Sequence, residues 1–559
     1  MKNLSAALLL IAIQMTLFGC GPGTREQQLQ GFISAHVEKI KPMAKESHLA
    51  YWEAANSGGG EDYNRVSELE FEIRQVYSDA DDFALLRQIR ESGQVNNPLL
   101  ARQLEVLYHA YLENQIDPGL LKRIVELGTE IEKNFSTFRG TMDGEKVTDN
   151  EIREVLKTET ESVRRKKAWL ASKQVGPAVA GDLVELVKLR NEAAQKVGFD
   201  NYHALSLTVA EQDVKELDRI FEELYQLTNK PFAEIKGELD GVLAAKYGVS
   251  VGELRPWHYH DPFFQESPLV YDLDLDVYYK DKDVKKLAVA FYDSISLPVD
   301  SILVHSDLYE REGKNPHAFC TDIDREGDVR ILCNLKNNEQ WMETILHELG
   351  HAVYDRYHDP DVPFLLREPA HIFTTEAIAM LFGRLSRDAA WMQQMLELSD
   401  EQRAEIEKVS EKYATLKQLI FVRWAMVMYE FEKELYRNPD QDLNSLWWDM
   451  VEKYQLVKRP EGRTEPDWAA KIHFTIAPVY YHNYVLGELL ASQLHHRIVH
   501  KVLGLESDKD VSYVGQRKVG DFLRTKVFEP GAVYQWNDMI ARATGEPLNP
   551  EYFVAQFVR

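Results

Sequence analysis

Two histidines four residues apart, with a glutamate directly after the first, stand in His347-Glu348-Leu349-Gly350-His351. On a helix, positions i and i+4 share one face about a turn apart, so both imidazoles can reach a single Zn²⁺. Glu348 then sits beside the pair as a general base for a water. A zinc site that does chemistry needs a third protein ligand and one open position. Beyond the loop 359–364, Thr374-Thr-Glu-Ala-Ile-Ala-Met-Leu381 reads as the start of another helix with Glu376 in its first turn. Glu376 is read as the third ligand. The alternative is an acidic residue that merely favours a helix N-terminus, and the two readings are compatible.

The flanks predict the helix that must carry the motif. Asn337 and Asn338 are N-cap candidates, Glu339 belongs in a first turn, and no proline follows until Pro360. Trp341, Leu346, Leu349, Ala352 and Val353 supply an apolar side to bury. Elsewhere the pattern is mostly helical: 29–56, 61–94, 98–115, 117–138, a helix opened by Thr148, 181–197, two helices within 213–246, then 282–297. After Glu376 it continues through 387–397, 400–437, 441–455, 478–503, 515–527 and 530–543. The basic run Arg164–Lys167 reads as a solvated helix face. The segment Arg255–Phe264, with two prolines and four aromatics, reads as a structured loop lining a substrate channel, and His258 and His260 lack the matched ligands of a metal site. The expected class is predominantly α, with one small β-hairpin beside the motif.

That hairpin would pair His317–Asp322 with the β-branched stretch Val329–Leu335. A pairing centred between Glu326 and Gly327 places Cys320 opposite Cys333, close enough for a disulfide; two buried thiols are the alternative. The oxidising setting that permits the bond is inferred from the N-terminus. Lys2 and the apolar stretch 4–18 read as a signal segment too short to span a bilayer, ending in Leu17-Phe-Gly-Cys20, which resembles a bacterial lipobox. The expected organisation is a leader over 1–19, lipidation at Cys20, a tether over 20–28, and one helical domain over 29–559 anchored to the cell envelope. With 559 residues, 44% hydrophobic and a formal charge of −25, the chain has ample core and no basic face for nucleic acid. A monomer is expected.

Val329-Arg-Ile-Leu-Cys-Asn-Leu335, His347–His351 and Thr375-Glu-Ala-Ile378 together resemble the catalytic core of the angiotensin-converting enzyme family and, more distantly, thimet oligopeptidase and oligoendopeptidase F. The likeness extends over Pro316-His-Ala-Phe319, Lys471-Ile-His473, Tyr480, Tyr481 and Tyr484, and weakly over Leu189–Ala194 and Gly198–Tyr202; nothing family-specific stands out in the first 150 residues. It implies a large helical zinc-peptidase fold whose two halves flank a deep channel, and oligopeptide substrates. It also implies Tyr484 and His473 as oxyanion donors, Lys471 and Tyr480 as holders of a substrate's C-terminal carboxylate, and His317, Ala318 and Tyr481 as further substrate contacts. An ungapped alignment to the converting enzymes would put Asn483 in the place of Tyr484. Two departures stand out: Met380 replaces an acid that orients a zinc histidine, and His482 falls near a chloride-binding arginine. Release of C-terminal dipeptides is expected; internal cleavage, or peptide binding without catalysis, are the alternatives.

Overall fold

The structure is a computed structural model that describes residues 24–268, 270, 274–509 and 511–558. The leader and Cys20 lie outside the described residues. Helices make up 69% of it, and the strands form two antiparallel pairs. These are β1 (Gly140–Met142) with β2 (Glu145–Val147), and β3 (Phe319–Asp322) with β4 (Val329–Leu332). The predominantly α class is what the chain adopts. Among the described residues, no helix is long and apolar enough to cross a membrane.

Helix boundaries follow local side-chain chemistry. Thr148 and Glu151 close a capping box, and Asn97-Pro98 and Asp117-Pro118 open their helices as N-cap and first-turn pairs. The first helix, Arg25–Ser57, is capped by Thr24, so part of the expected tether is helical. Where 61–94 read as one run, Asp79 accepts from the N–H groups of Asp81 and Asp82 and starts a new helix. Conversely, 213–246 is one helix, Val214–Tyr247, running through Pro231. Proline removes one hydrogen bond, yet Leu224, Phe232, Leu239 and Leu243 are buried along one side, and that packing outweighs the break. The basic run is not wholly solvated either. Arg165 is fully buried, donating to the carbonyls of Glu159, Trp257 and Tyr259, which fixes the loop 255–264 against its helix.

The β3–β4 hairpin has a different register from the one expected. Asp322 accepts from the N–H groups of Asp324 and Arg325, Asp324 from those of Glu326 and Asp328, and the Ile323 N–H bonds the Asp328 carbonyl at 2.8 Å. These bonds centre the turn one residue earlier, so Cys320 pairs with Ile331. Cys333 lies past the end of β4, where its N–H donates to Asp307 at 2.8 Å. Both cysteines are free thiols, and the expected disulfide is absent.

Three helices position the candidate site: the motif helix Glu339–Arg356, the ligand helix Ile372–Gly383 and the tyrosine helix His482–Arg497. The motif helix is capped by Asn338 and buries Met342, Ile345, Leu346, Leu349, Ala352 and Val353 completely. Tyr292 donates to its Leu346 carbonyl at 2.6 Å. Glu339 accepts a bidentate pair from Arg387 at 2.7 Å and a bond from Ser386 at 2.7 Å, tying its first turn to the segment that follows the ligand helix. The two helices come closest at Gly350, where an added Cβ would lie 2.7 Å from the Ala379 Cα. The tyrosine helix crosses at Gly487, where a Cβ would meet Met380 Sδ at 3.3 Å and Glu376 Cβ at 3.4 Å. Gly350→Ala should therefore force the first pair apart, at a cost of about 1–3 kcal/mol. A lowered thermal midpoint checks this; an unchanged midpoint would show that the contact yields freely.

Candidate metal centre and peptide site

His347 and His351 lie on one face of the motif helix, their Nε2 atoms 3.2 Å apart. Glu376 Oε2 is 3.7 Å from His347 Nε2 and 4.0 Å from His351 Nε2. Ligands at about 2.0–2.1 Å in tetrahedral geometry are about 3.3 Å apart, so small side-chain movements would bring all three onto one ion. Glu376 stands one turn inside the ligand helix, whose own start is capped by His371 and Thr374. It therefore does not serve as a first-turn acid. The three side chains keep 30%, 16% and 17% of their exposure, enough to be reached from outside.

Electrostatics fit a divalent cation. Burial pushes His347 down to about 4 and His351 to about 3, so both rings are neutral with lone pairs to offer. Burial, then the Glu376 carboxylate, pushes Glu348 up to about 8; burial, then Glu488, pushes Glu376 up to about 7. Two neutral imidazoles and two close carboxylates make a donor set that a cation would complete. His351 Nδ1 is 2.7 Å from the Thr375 hydroxyl, which accepts from the ring once Nε2 faces a metal. Thr375 thus supplies the acceptor that Met380 cannot, and no sequence signal had marked it. On the other ring, the charge of Glu343 raises the His347 pKa, and Arg387 and Lys417 hold Glu343 in place.

From the stretch 471–484, Tyr480 and Tyr484 lie within reach of the Glu376 charge. Val479 is in the left-handed region at φ 55°, uncommon for a β-branched residue, and its N–H donates to the buried Glu432 at 2.8 Å. The helix expected from Pro478 begins only at His482, and this kink presents the aromatic residues. Ring centroids of Tyr480 and Tyr481 lie 5.3 Å and 5.4 Å from that of Tyr484, and Tyr481 is 5.2 Å from His473. Burial, then the Glu376 charge, pushes the Tyr484 phenol up, so that hydroxyl stays protonated. Burial and Lys471 lower His473 to about 4. Tyr481 is buried and accepts from Trp424 Nε1 at 2.7 Å, which fixes the position of its hydroxyl. Lys471 is also buried, 2.7 Å from Gln265 Oε1, with the rings of Trp424, Tyr481 and Phe263 at 5.0–5.6 Å.

Asn483 is turned away. It is buried, and its carbonyl accepts from Gln212 at 2.8 Å, while Gln212 Oε1 takes the ring N–H of His482 at 2.7 Å. Burial holds His482 far below its ordinary value, and it offers no positive charge. His258 has both ring nitrogens engaged, by Ser162 and the Arg255 N–H, while the end of its loop reaches Lys471 through Gln265 and Phe263. His317 is exposed and Ala318 half-buried, just before β3. That strand has β4 on one edge and no strand on the other among the described residues.

Comparison with known proteins agrees with this arrangement. A family model for angiotensin-converting enzyme matches residues 23–254, which includes most of the first 150 residues, where the sequence alone had suggested nothing family-specific. An angiotensin-converting enzyme of Mesocricetus auratus is 22% identical over 91% of this chain and 39% of its own length. One from Haematobia irritans exigua is 24% identical over 39% of this chain and 35% of its own. Thermostable carboxypeptidase 1 of Pyrococcus furiosus is 22% identical over 52% of this chain and 68% of its own. This chain is thus aligned to well under half the length of those two converting enzymes. A model for Peptidase family M3 matches residues 155–559, most of the chain and every residue of the cluster, and the chain belongs to that family.

Proposed function

We propose that this chain is a zinc-dependent metallopeptidase that hydrolyses oligopeptides and releases C-terminal dipeptides. The observation that carries the reading is the convergence of His347, His351 and Glu376 beside the buried carboxyl of Glu348. One of the similar proteins is named an inactive converting-enzyme-related protein, so likeness alone does not decide activity. The complete set of three ligands and a base favours catalysis over peptide binding.

Zn²⁺ held by these three residues would supply a Lewis acid for the scissile carbonyl and acidify water. Glu348 takes the proton from the attacking water and passes it to the leaving amine. Tyr484 and His473 donate to the developing oxyanion, a contact worth about 3–4 kcal/mol per donor. The edge of β3 that pairs with no strand among the described residues can take an extended peptide beside His317 and Ala318, while Tyr480 joins Lys471 at the substrate's carboxylate. The ammonium of Lys471 holds the substrate's terminal carboxylate. Names such as carboxypeptidase and converting enzyme among the similar proteins support action at a C-terminal end. Internal cleavage is the second reading, because Tyr484 rather than Asn483 faces the cluster, the register that resembles the oligoendopeptidases. The lipobox-like Leu17–Cys20 supports display on a bacterial envelope.

Glu348→Gln should keep zinc at this cluster and lose nearly all hydrolysis, whereas Glu376→Ala should weaken zinc binding, measured by competition with a chelator. Full activity in the first variant would remove Glu348 as the base. Tyr484→Phe should lower kcat by about 10²–10³ with little change in KM. If Asn483→Ala does this instead, the oxyanion donor is misassigned. Burial lowers Lys471 to about 8, so its charge is present below that pH and lost above it. KM for peptides with a free C-terminus should therefore rise as pH passes about 8, and amidated peptides should not share the rise. Lys471→Met should abolish the difference; equal cleavage of free and amidated peptides by the unmodified chain would show that no carboxylate anchor operates.

A further inference from the structure

We propose that His496, His500 and Asp508 form a second transition-metal site, distinct from the first cluster. His496 lies in the last turn of the tyrosine helix, His500 in the π-helical segment Ile498–Leu503 that extends it, and Asp508 in the loop that follows. One donor atom from each lies within 4.8 Å of the other two. Asp508 Oδ1 is 3.1 Å from His500 Nε2, and Asp508 Oδ2 is 3.8 Å from His496 Nδ1. These values bracket the separation of about 3.3 Å between ligands of one tetrahedral zinc.

The protonation pattern points the same way. His500 Nδ1 lies 2.8 Å from the Leu505 carbonyl, which can only accept, so the proton is on Nδ1. In a neutral ring, Nε2 then presents a lone pair to a carboxylate oxygen 3.1 Å away. Two acceptors this close repel unless a cation joins them. A metal ion would satisfy both, and Asp508 Oδ1 is buried with no in-line hydrogen bond of its own. A backbone carbonyl on the far ring nitrogen is likewise the usual support for a ligating histidine. The ring of Tyr552 packs 4.7 Å from His496 and limits its rotation.

Side-chain exposures of 38%, 21% and 23% for His496, His500 and Asp508 leave a path for the ion and a fourth position for water. Two imidazoles and one carboxylate suit Zn²⁺, with Co²⁺ and Ni²⁺ as competitors. His496 is 12 residues beyond Tyr484 on one helix, about 18 Å along its axis, so this ion takes no part in the peptide chemistry. Its effect is to fasten the loop after Gly504 to the end of the tyrosine helix. The segment Ile498–Leu503 is a π-helix, a form that often occurs at functional sites.

The test strips the full-length protein with a chelator, reloads it with excess Zn²⁺, desalts it and counts zinc per chain by mass spectrometry. About two zinc per chain are expected for the unmodified protein. His500→Ala and Asp508→Asn should each leave about one, with peptide hydrolysis unchanged. His347→Ala/His351→Ala, which leaves the second cluster intact, should also retain about one zinc, and chelator should lower the thermal midpoint of that variant. Its retained zinc should disappear when His500→Ala is added. If the double variant holds no zinc and its midpoint ignores the chelator, the second site does not exist, whatever becomes of the first. If instead the unmodified protein holds one zinc that His500→Ala alone removes, the second site stands and the peptidase reading fails.

Discussion

The candidate site depends on one space too small for a methyl group. Between Gly350 and Ala379 the motif helix and the ligand helix nearly touch backbones, and a Cβ at Gly350 would lie 2.7 Å from the Ala379 Cα. His347 and His351 belong to one helix and Glu376 to the other, so the separation of the axes sets whether three ligating atoms can share an ion. The Arg387–Glu339 pair fixes the same two elements at their other end. Arginine's planar fork fits a carboxylate in one orientation, which makes that pair a constraint on angle as well as distance. Gly487 then admits the third helix against Glu376, bringing Tyr484 to the same place. Two glycines and one bidentate ion pair thus carry the geometry of a cluster drawn from three distant parts of the chain.

Burial around that cluster is electrostatically costly without a cation. Glu348 and Glu376 are pushed toward protonation and His347 and His351 toward neutrality, all chiefly by desolvation. A core of ordinary residues would not hold two carboxylates so near two histidines with no lysine or arginine among them. Arg387 and Lys417 are occupied with Glu339 and Glu343, and Arg384 with Glu488. A divalent ion would supply the positive charge that this donor set lacks.

Much of this was legible in the sequence, because helices announce themselves through caps and apolar periodicity that act within a few residues. The Asn338 cap, the Asp117-Pro118 start and the His347–His351 pair needed only local reading. Glu376 needed the expectation that two helices pack antiparallel, which chemistry suggested and periodicity could not prove. What escaped depends on contacts between distant segments. Thr375 became visible only once His351 was placed against it, and Arg165 only when the loop 255–264 folded over its helix. The hairpin register failed for a local reason: the Asp322 and Asp324 side chains bind turn N–H groups and move its centre by one residue. Asp143-Gly144, a two-residue turn with both φ positive, had been an available signal for the β1–β2 hairpin and went unread.

A strained residue shapes the tyrosine stretch. Were a helix to run from Pro478, residues 480, 481, 483 and 484 would take regular helical directions, and Asn483 would compete with Tyr484 for the cluster. Val479 instead sits at positive φ, held by the Glu432 carboxylate through its N–H. A β-branched residue in that region costs on the order of 1–3 kcal/mol, so the surroundings must over-determine it. Here a buried carboxyl, itself pushed up to about 7 by burial, does so through one hydrogen bond. The kink delays the helix to His482 and turns Asn483 inward to Gln212, leaving the phenol of Tyr484 beside Glu376. The same kink sets Tyr481 between Tyr484 and Lys471. A carboxylate anchor works only at a fixed distance from the scissile bond. Burial among Trp424, Tyr481 and Phe263 holds the Lys471 ammonium in one place, as the proposed carboxylate anchor requires.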